Sequence, residues 1–343
     1  MNTRPRTPTI ADVAERAGVS ITTVSHVVSG KRPVNMLTAR RVQDVMSELH
    51  YVPNRAARNL SLGSAHMLGL IVPDITNTFF AELAKGAEDT ADRHGYSLLV
   101  GNSGFDSGRE LHYLNALRAR AIDGLIYAAG APPSVEYLSD LIAHFPIAVV
   151  DEPLAGVRAM SVISDNRAGG YLVGKLLRDL GHRTALMITG PSGLRSTEDR
   201  RAGFMAGFGM TAVPDDGRVI ELEGTYEQDS AYRAVSKAAD NGQLEATCLF
   251  AHNDLMAIGA MQRLRELEIV VPRDLSVVGY DDGVLAANVT PRLTTVRQPA
   301  YEMGARAANQ VLRRLGVDCP PGPDEVTLDV TLVSRDSAGR APA

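Results

Sequence analysis

Only two cysteines, Cys248 and Cys319, occur among the 343 residues of this chain, too few for a disulfide framework. Cys248 sits in a run that reads as a buried strand and Cys319 beside a Pro-rich stretch, a usage that fits a reducing cytoplasm. His66, His94, His112, His144, His182 and His252 are scattered without metal-ligand spacing, so neither a bound metal nor another cofactor is expected. Charges and glycines interrupt every apolar run, which excludes a membrane span and a membrane partner. Residues 1–8 form a polar arm without the apolar segment of a secretory signal, and the expected location is the cytoplasm. Lysine stands only at Lys31, Lys85, Lys175 and Lys237, a scarcity that reflects genome composition rather than function. No Ser-His-Asp arrangement, phosphate loop or metal motif is present, and no enzyme is expected.

The chain opens instead on a strong local pattern. Thr9 can cap a helix whose apolar residues Ile10, Val13, Ala14 and Ala17 recur at helical spacing. Gly18 ends it, because glycine accepts the left-handed conformation of a tight turn. Ser20 caps a second helix with Val24 and Val27 inward, leaving Ile21, Thr22, Thr23, Ser25 and His26 for other work. Two short helices around a Gly-containing turn make a helix-turn-helix, whose second helix can present its N-terminal residues to base edges in the major groove. A third amphipathic helix follows Thr38, with Val42, Val45, Met46 and Leu49 on one face. The bland alternative is a three-helix bundle that binds nothing.

Charge separates these readings. Through residue 60, nine basic side chains stand against four acidic ones, about +5, while the whole chain carries −5. The remainder is therefore about −10, and a basic head on an acidic body suits a head that meets phosphates.

From Met67 onward, short β-branched runs alternate with helical stretches. LGLIVP, YSLLVG, DGLIYA and IAVVD read as strands of one lobe, and MSVIS leads toward a second lobe made of TALMITG, RVIELE, TCLFA and SVVGYD. Helices are expected at 79–94, 168–180, 200–208, 226–239 and 255–267. Such alternation predicts parallel sheets covered on both faces, with ligands taken beyond the carboxyl ends of the strands. Asp74, Asp151, Asp165, Asn253 and Asp281 all fall at such ends, while Asn166 and Asp254 read rather as helix caps. The adjacent carboxylates Asp151 and Glu152 would suit a carbohydrate hydrolase, but neighbours at a strand end usually point apart. A binding protein for solute uptake is a further alternative, which leaves the basic head unexplained.

The ordered strings TIADVAERAGVSITTVSHVVSG, RVQDVMSELHYVPNRAARNL, LGLIVPDITNTFF, IDGLI, RRAGF, HNDLMAIGA, SVVGYDD and PRLTTVRQP resemble the lac repressor family of bacterial transcription regulators over nearly the full chain. The resemblance implies a small all-α helix-turn-helix head (1–52), a hinge helix and linker (53–66), and an α/β two-lobed body like periplasmic binding proteins (67–343). The first lobe is expected over about 67–165 and 292–319 and the second over about 166–291 and 320–337, with crossings near Asp165, Pro291 and Pro320.

Several residue roles follow from the resemblance. Ile21, Thr22 and His26 would read bases, with Ser20, Thr23 and Ser25 near phosphates or base edges. In PNRAARNL, Asn54, Arg55, Ala57 and Arg58 would accompany Leu60, an apolar wedge for the minor groove. Asp151, Arg200, Asn253 and Asp281 would grip an effector, with Tyr226 against its ring and Phe79 and Phe80 on the first-lobe side. A sugar is favoured over a purine as that effector. The run from Val326 to Ser337 alternates like one final strand and no leucine-heptad helix follows it, so the resemblance implies a homodimer on a near-palindromic double-stranded operator. Whether the effector releases or strengthens operator binding is left open.

Overall fold

A computed structural model describes residues 8–29, 32–51, 64–118, 122–210, 217–242 and 244–342. Its contacts divide the chain near Met67 into a head and a body.

The head consists of α1 (Ile10–Ala17), α2 (Ile21–Ser29) and α3 (Met36–Glu48). Thr9 caps α1 in a reciprocal box with Asp12, accepting from the Asp12 amide while the Asp12 carboxylate accepts from the Thr9 amide at 2.7 Å. Gly18 closes α1 at φ 64°, a conformation an L side chain adopts only at a cost. Ser20 Oγ accepts from the Thr23 amide at 3.1 Å and starts α2. Asn35 caps α3, which begins two residues before Thr38. Val13, Ala14, Ala17, Val24, Val42 and Val45 are buried together, and burial of this face holds helices too short to be stable alone.

The first lobe of the body is a six-stranded sheet ordered β2-β1-β3-β4-β5-β11. Its strands are β1 (Met67–Val72), β2 (Ser97–Asn102), β3 (Gly124–Tyr127), β4 (Ile147–Val150), β5 (Met160–Ser164) and β11 (Glu325–Leu328). The helices of this lobe are α4 (Thr78–Arg93), α5 (Ser107–Arg118), α6 (Val135–His144) and α11 (Ala300–Arg314). β1, β3 and β4 are buried almost throughout, as expected of parallel strands covered on both faces.

The second lobe contains α7 (Asn166–Asp179), β6 (Thr184–Thr189), α8 (Arg195–Gly207), β7 (Arg218–Glu223), α9 (Gln228–Asp240), β8 (Cys248–Ala251), α10 (Asp254–Glu266) and β9 (Ser276–Val278). Its parallel sheet runs β7-β6-β8-β9. The ladder β10 (Thr295–Arg297) with β12 (Thr331–Val333) continues it, since Gly279 and Asp281 donate to the carbonyls of Thr294 and Val296. Helices α7 and α8 cross at glycines. A Cβ on Gly170 would stand 2.1 Å from the Arg200 carbonyl oxygen, and one on Gly203 2.0 Å from that of Arg167.

Three expectations are corrected here. The crossing placed near Pro291 falls at Gln298–Pro299, because Thr295–Arg297 pairs within the second lobe while α11 packs into the core of the first. The crossing placed near Pro320 falls at Asp329–Val330, because Glu325–Leu328 pairs with β5. The single final strand is thus two strands, one for each lobe. MSVIS lies in the first sheet, within the bounds expected for that lobe.

Candidate functional site

The strand ends of the two lobes face a cavity of about 410 Å³. Arg200 sits at its heart, in the second turn of α8 rather than at the helix start expected from RRAGF, since α8 begins at Arg195. Its Nε donates to Asn166 Oδ1 at 2.8 Å, its Nη1 donates to the His252 carbonyl, and its guanidinium lies 4.0 Å from the Tyr280 ring centre. A buried cation held on three sides in this way has one rotamer, and its free edge serves the cavity.

Asp151 and Asp281 face this cation. Burial raises the Asp151 carboxyl to about 7, with Glu152 and Asp281 adding to the rise and Arg200 opposing it. Its Oδ1 has no hydrogen-bond partner, an acceptor waiting for a donor. Burial also raises Asp281, against the pull of Arg200 and of hydrogen bonds from Gln298 and Asn77. The Gln298 amide donates to Asp281 Oδ1 at 2.7 Å. Asn77 caps α4 in the first lobe, so its bond to Asp281 joins the two lobes.

The aromatic wall comes from both sides as well. Tyr226 adopts φ 64° and donates or accepts at Thr197 Oγ1 over 2.9 Å, and its ring centre lies 6.2 Å from that of Phe105. Gly190 makes room for that ring, as a Cβ there would stand 2.3 Å from Tyr226 Cζ. Asn253 accepts from the Met256 amide and donates to the Tyr226 carbonyl, thereby fixing α10 and the tyrosine together. Phe79, Phe80 and Asp74 line the first-lobe side, Asp74 already accepting from Thr76.

Asp165 is the exception among the expected site residues. It caps α7 through the Ala168 amide at 2.8 Å and does not line the cavity. Its neighbour Asn166, expected as a cap, instead holds Arg200. Asp254 is likewise no cap, since Asn253 performs that task. Asp254 is buried and accepts from the Gly283 amide and the Thr295 hydroxyl. Asn77, Phe105, Ser196 and Gln298 join the cavity without having been singled out for it, as does Glu152, weighed above only as half of a hydrolase's carboxylate pair. Asn77 and Gln298 lie inside quoted family strings, which was the available signal; Phe105 had none.

On the head, Ser20, Ile21 and Thr22 are exposed along the start of α2, Ile21 by 51 %. Thr23, Ser25 and His26 are half-buried, and Thr23 Oγ1 shares a hydrogen bond with Ser20 Oγ. An isoleucine half in water at a helix start contributes little to the head's core and is free for an apolar contact elsewhere. Asn54, Arg55, Ala57, Arg58 and Leu60 lie outside the described residues. Among the described residues, no group of three or more His, Cys, Asp or Glu could hold a metal ion, and no helix is long and apolar enough to cross a membrane.

A helix-turn-helix head and a two-lobed α/β body enclosing a polar, aromatic-walled cleft define a ligand-controlled transcription regulator. Residues 9–54 match the family model of bacterial regulatory proteins of the lacI family, and 175–338 match that of a periplasmic binding protein-like domain. The chain is 36 % identical over 302 residues to the HTH-type transcriptional regulator DegA of Bacillus subtilis, covering 87 % of this chain and 88 % of that one. It is 34 % identical over 338 residues to the HTH-type transcriptional repressor PurR of Klebsiella pneumoniae, covering 97 % and 98 %. Among solved structures, a lac repressor dimer bound to operator and the anti-inducer ONPF superposes with TM-score 0.81 at 26 % identity, covering 97 % of this chain and all of that one. A lacI-family regulator of Enterococcus faecium with bound ribose superposes with TM-score 0.71 at 30 % identity, covering 80 % of this chain and all of that one. The chain belongs to the LacI family. It is a DNA-binding repressor controlled by a small effector between its lobes.

Proposed function

We propose that the protein acts in the cytoplasm as a homodimer on a near-palindromic operator, under the control of a neutral sugar or sugar derivative. The observation that carries the choice of effector is the balance of the cleft. Among the described residues lining the cleft, Asp74, Asp151 and Asp281 supply carboxylate acceptors against the single cation Arg200, beside the rings of Tyr226, Phe79 and Phe105. A polyhydroxylated ring offers many O–H donors and an apolar C–H face, which suits acceptors in excess and an aromatic wall. The bound ribose of the Enterococcus faecium regulator supports this reading. A purine is the second reading, supported by the likeness to PurR over 97 % of the chain, with Arg200 and Asp281 meeting the edge of a base.

In this proposal Ile21, Thr22 and His26 reach base edges, Ser20, Thr23 and Ser25 steady the helix on the backbone, and Leu60 opens a central base step with Asn54, Arg55, Ala57 and Arg58 beside it. The effector can alter operator affinity only by the difference in its affinity for the two lobe arrangements. Selection of genomic fragments by the purified protein, repeated with a panel of sugars and nucleobases, tests the whole proposal. A palindromic site whose occupancy responds to one sugar is the expected result. A response to a purine alone replaces the effector, and no specific site under any condition refutes the operator reading.

A further inference from the structure

Asp151 and Glu152 are neighbours with separate tasks. The Glu152 amide donates to the Val150 carbonyl at 2.8 Å, and Asp151 between them adopts φ 69°. This tight turn gives the two carboxylates different partners, Asp151 facing Arg200 in the second turn of α8 and Glu152 the amides of its first turn. Glu152 is buried, and its two oxygens accept from the amides of Arg195 and Ser196, the latter at 3.2 Å. Those amides belong to the first turn of α8, where helical N–H groups lack intrahelical partners and a negative charge is favoured. The helix supplies no cap of its own, since Leu194 occupies the cap position without a side-chain hydrogen bond. The loop that carries Glu152 follows β4 of the first lobe, whereas α8 belongs to the second. One lobe therefore caps a helix of the other.

The capped turn carries the far wall of the cleft. Ser196 lines the cavity, Thr197 holds the Tyr226 hydroxyl, and Arg200 lies one turn further on. We infer that Glu152 is a latch, a helix cap lent across the cleft that holds the lobes closed and positions Ser196, Thr197 and Arg200 for the effector. Separating the lobes strips a carboxylate and two amides of their partners at once, so closure is favoured before any effector arrives. Glu152 acts through α8, with both oxygens already engaged.

Hydrogen exchange of the full-length protein, without effector or DNA, tests the latch independently of which effector the cleft takes. In Glu152→Ala, exchange at the amides of residues 195–197 should quicken about tenfold or more, as expected for the loss of a charge-assisted hydrogen bond. Amides of the head and of the two sheet centres should keep their rates. Glu152→Gln, which retains a carbonyl acceptor, should recover part of the protection. Arg195→Pro is the second probe. Position 195 is the first residue of α8, where proline is well accommodated, and Leu194 before it is extended at φ −90° and ψ 131°. This variant removes one latch donor, together with the exposed Arg195–Asp199 ion pair, and should quicken exchange at Ser196, while adding nothing there in the Glu152→Ala background. Unchanged rates at residues 195–197 in Glu152→Ala, or at Ser196 in Arg195→Pro, overturn the latch, as does a uniform rise throughout both lobes.

Discussion

Replacing Asp151 by asparagine should change how the stability of the body depends on pH. The wild-type carboxyl is raised from 3.8 to about 7, first by burial and then by Glu152 and Asp281, against the pull of Arg200. A raised acid binds its proton more tightly in the folded than in the unfolded chain. The stability it contributes is therefore fully present below pH 4 and is lost as pH rises through about 7. Each pH unit between the two values is worth 1.36 kcal/mol, so the full loss is at most ~4 kcal/mol, of which roughly 3 kcal/mol falls between pH 5 and 8. Asparagine does not titrate. Thermal melts of both proteins at pH 5, 6, 7 and 8 should show the variant gaining on the wild type by on the order of 5–10 °C across the series. Any pH-independent cost of the substitution cancels in that comparison. Two parallel profiles would refute the argument that Asp151 is held against its ionisation.

Arg200→Lys keeps a positive charge opposite Asp151 and Asp281 but cannot hold Asn166 and the His252 carbonyl together. Losing one charge-assisted bond of about 1.5–3 kcal/mol should weaken the effector response by roughly tenfold to a hundredfold in operator titrations, with effector-free operator binding little changed. An unaltered response would remove Arg200 from the site. Gly203→Ala should destabilise the body by about 1–3 kcal/mol in denaturant unfolding, because its Cβ meets the Arg167 carbonyl, although alanine is ordinarily the better helix former by about 1 kcal/mol. A neutral or stabilising outcome would mean that α7 and α8 do not cross at these glycines. Leu60→Ser should lower affinity for the operator while sparing most salt-dependent binding to random DNA, measured side by side at several ionic strengths. Equal loss on both DNAs would rule out the wedge.

Much of this architecture is local chemistry, and local chemistry is legible along the chain. Thr9, Gly18 and Ser20 mark the ends of the first helices because a cap, a left-handed stop and a second cap act within four residues of their own position. The strands β1, β3 and β4 announce themselves because burial on both faces demands continuous apolar runs. Asp151, Arg200, Tyr226, Asn253 and Asp281 were found by family spacing, and the fold does bring them to one cavity.

What the chain could not show by itself is which partner each polar group takes. Asp165, expected in the cleft, caps its own helix while Asn166, expected as a cap, holds Arg200, and the cap expected at Asp254 falls to Asn253, since a one-position step decides which partner a side chain meets. The run from Val326 to Ser337 alternates as one strand, yet Glu325–Leu328 pairs with β5 and Thr331–Val333 with β10, because pairing depends on which sheet edge is near. Glu152 is the fullest case. Nothing within its own loop marks it as a helix cap, for the helix that needs one begins forty-three residues later in the other lobe. Periodicity and capping act over a few residues and can be read in order, whereas the partners of a buried charge are chosen by proximity in space, which only the tertiary structure decides.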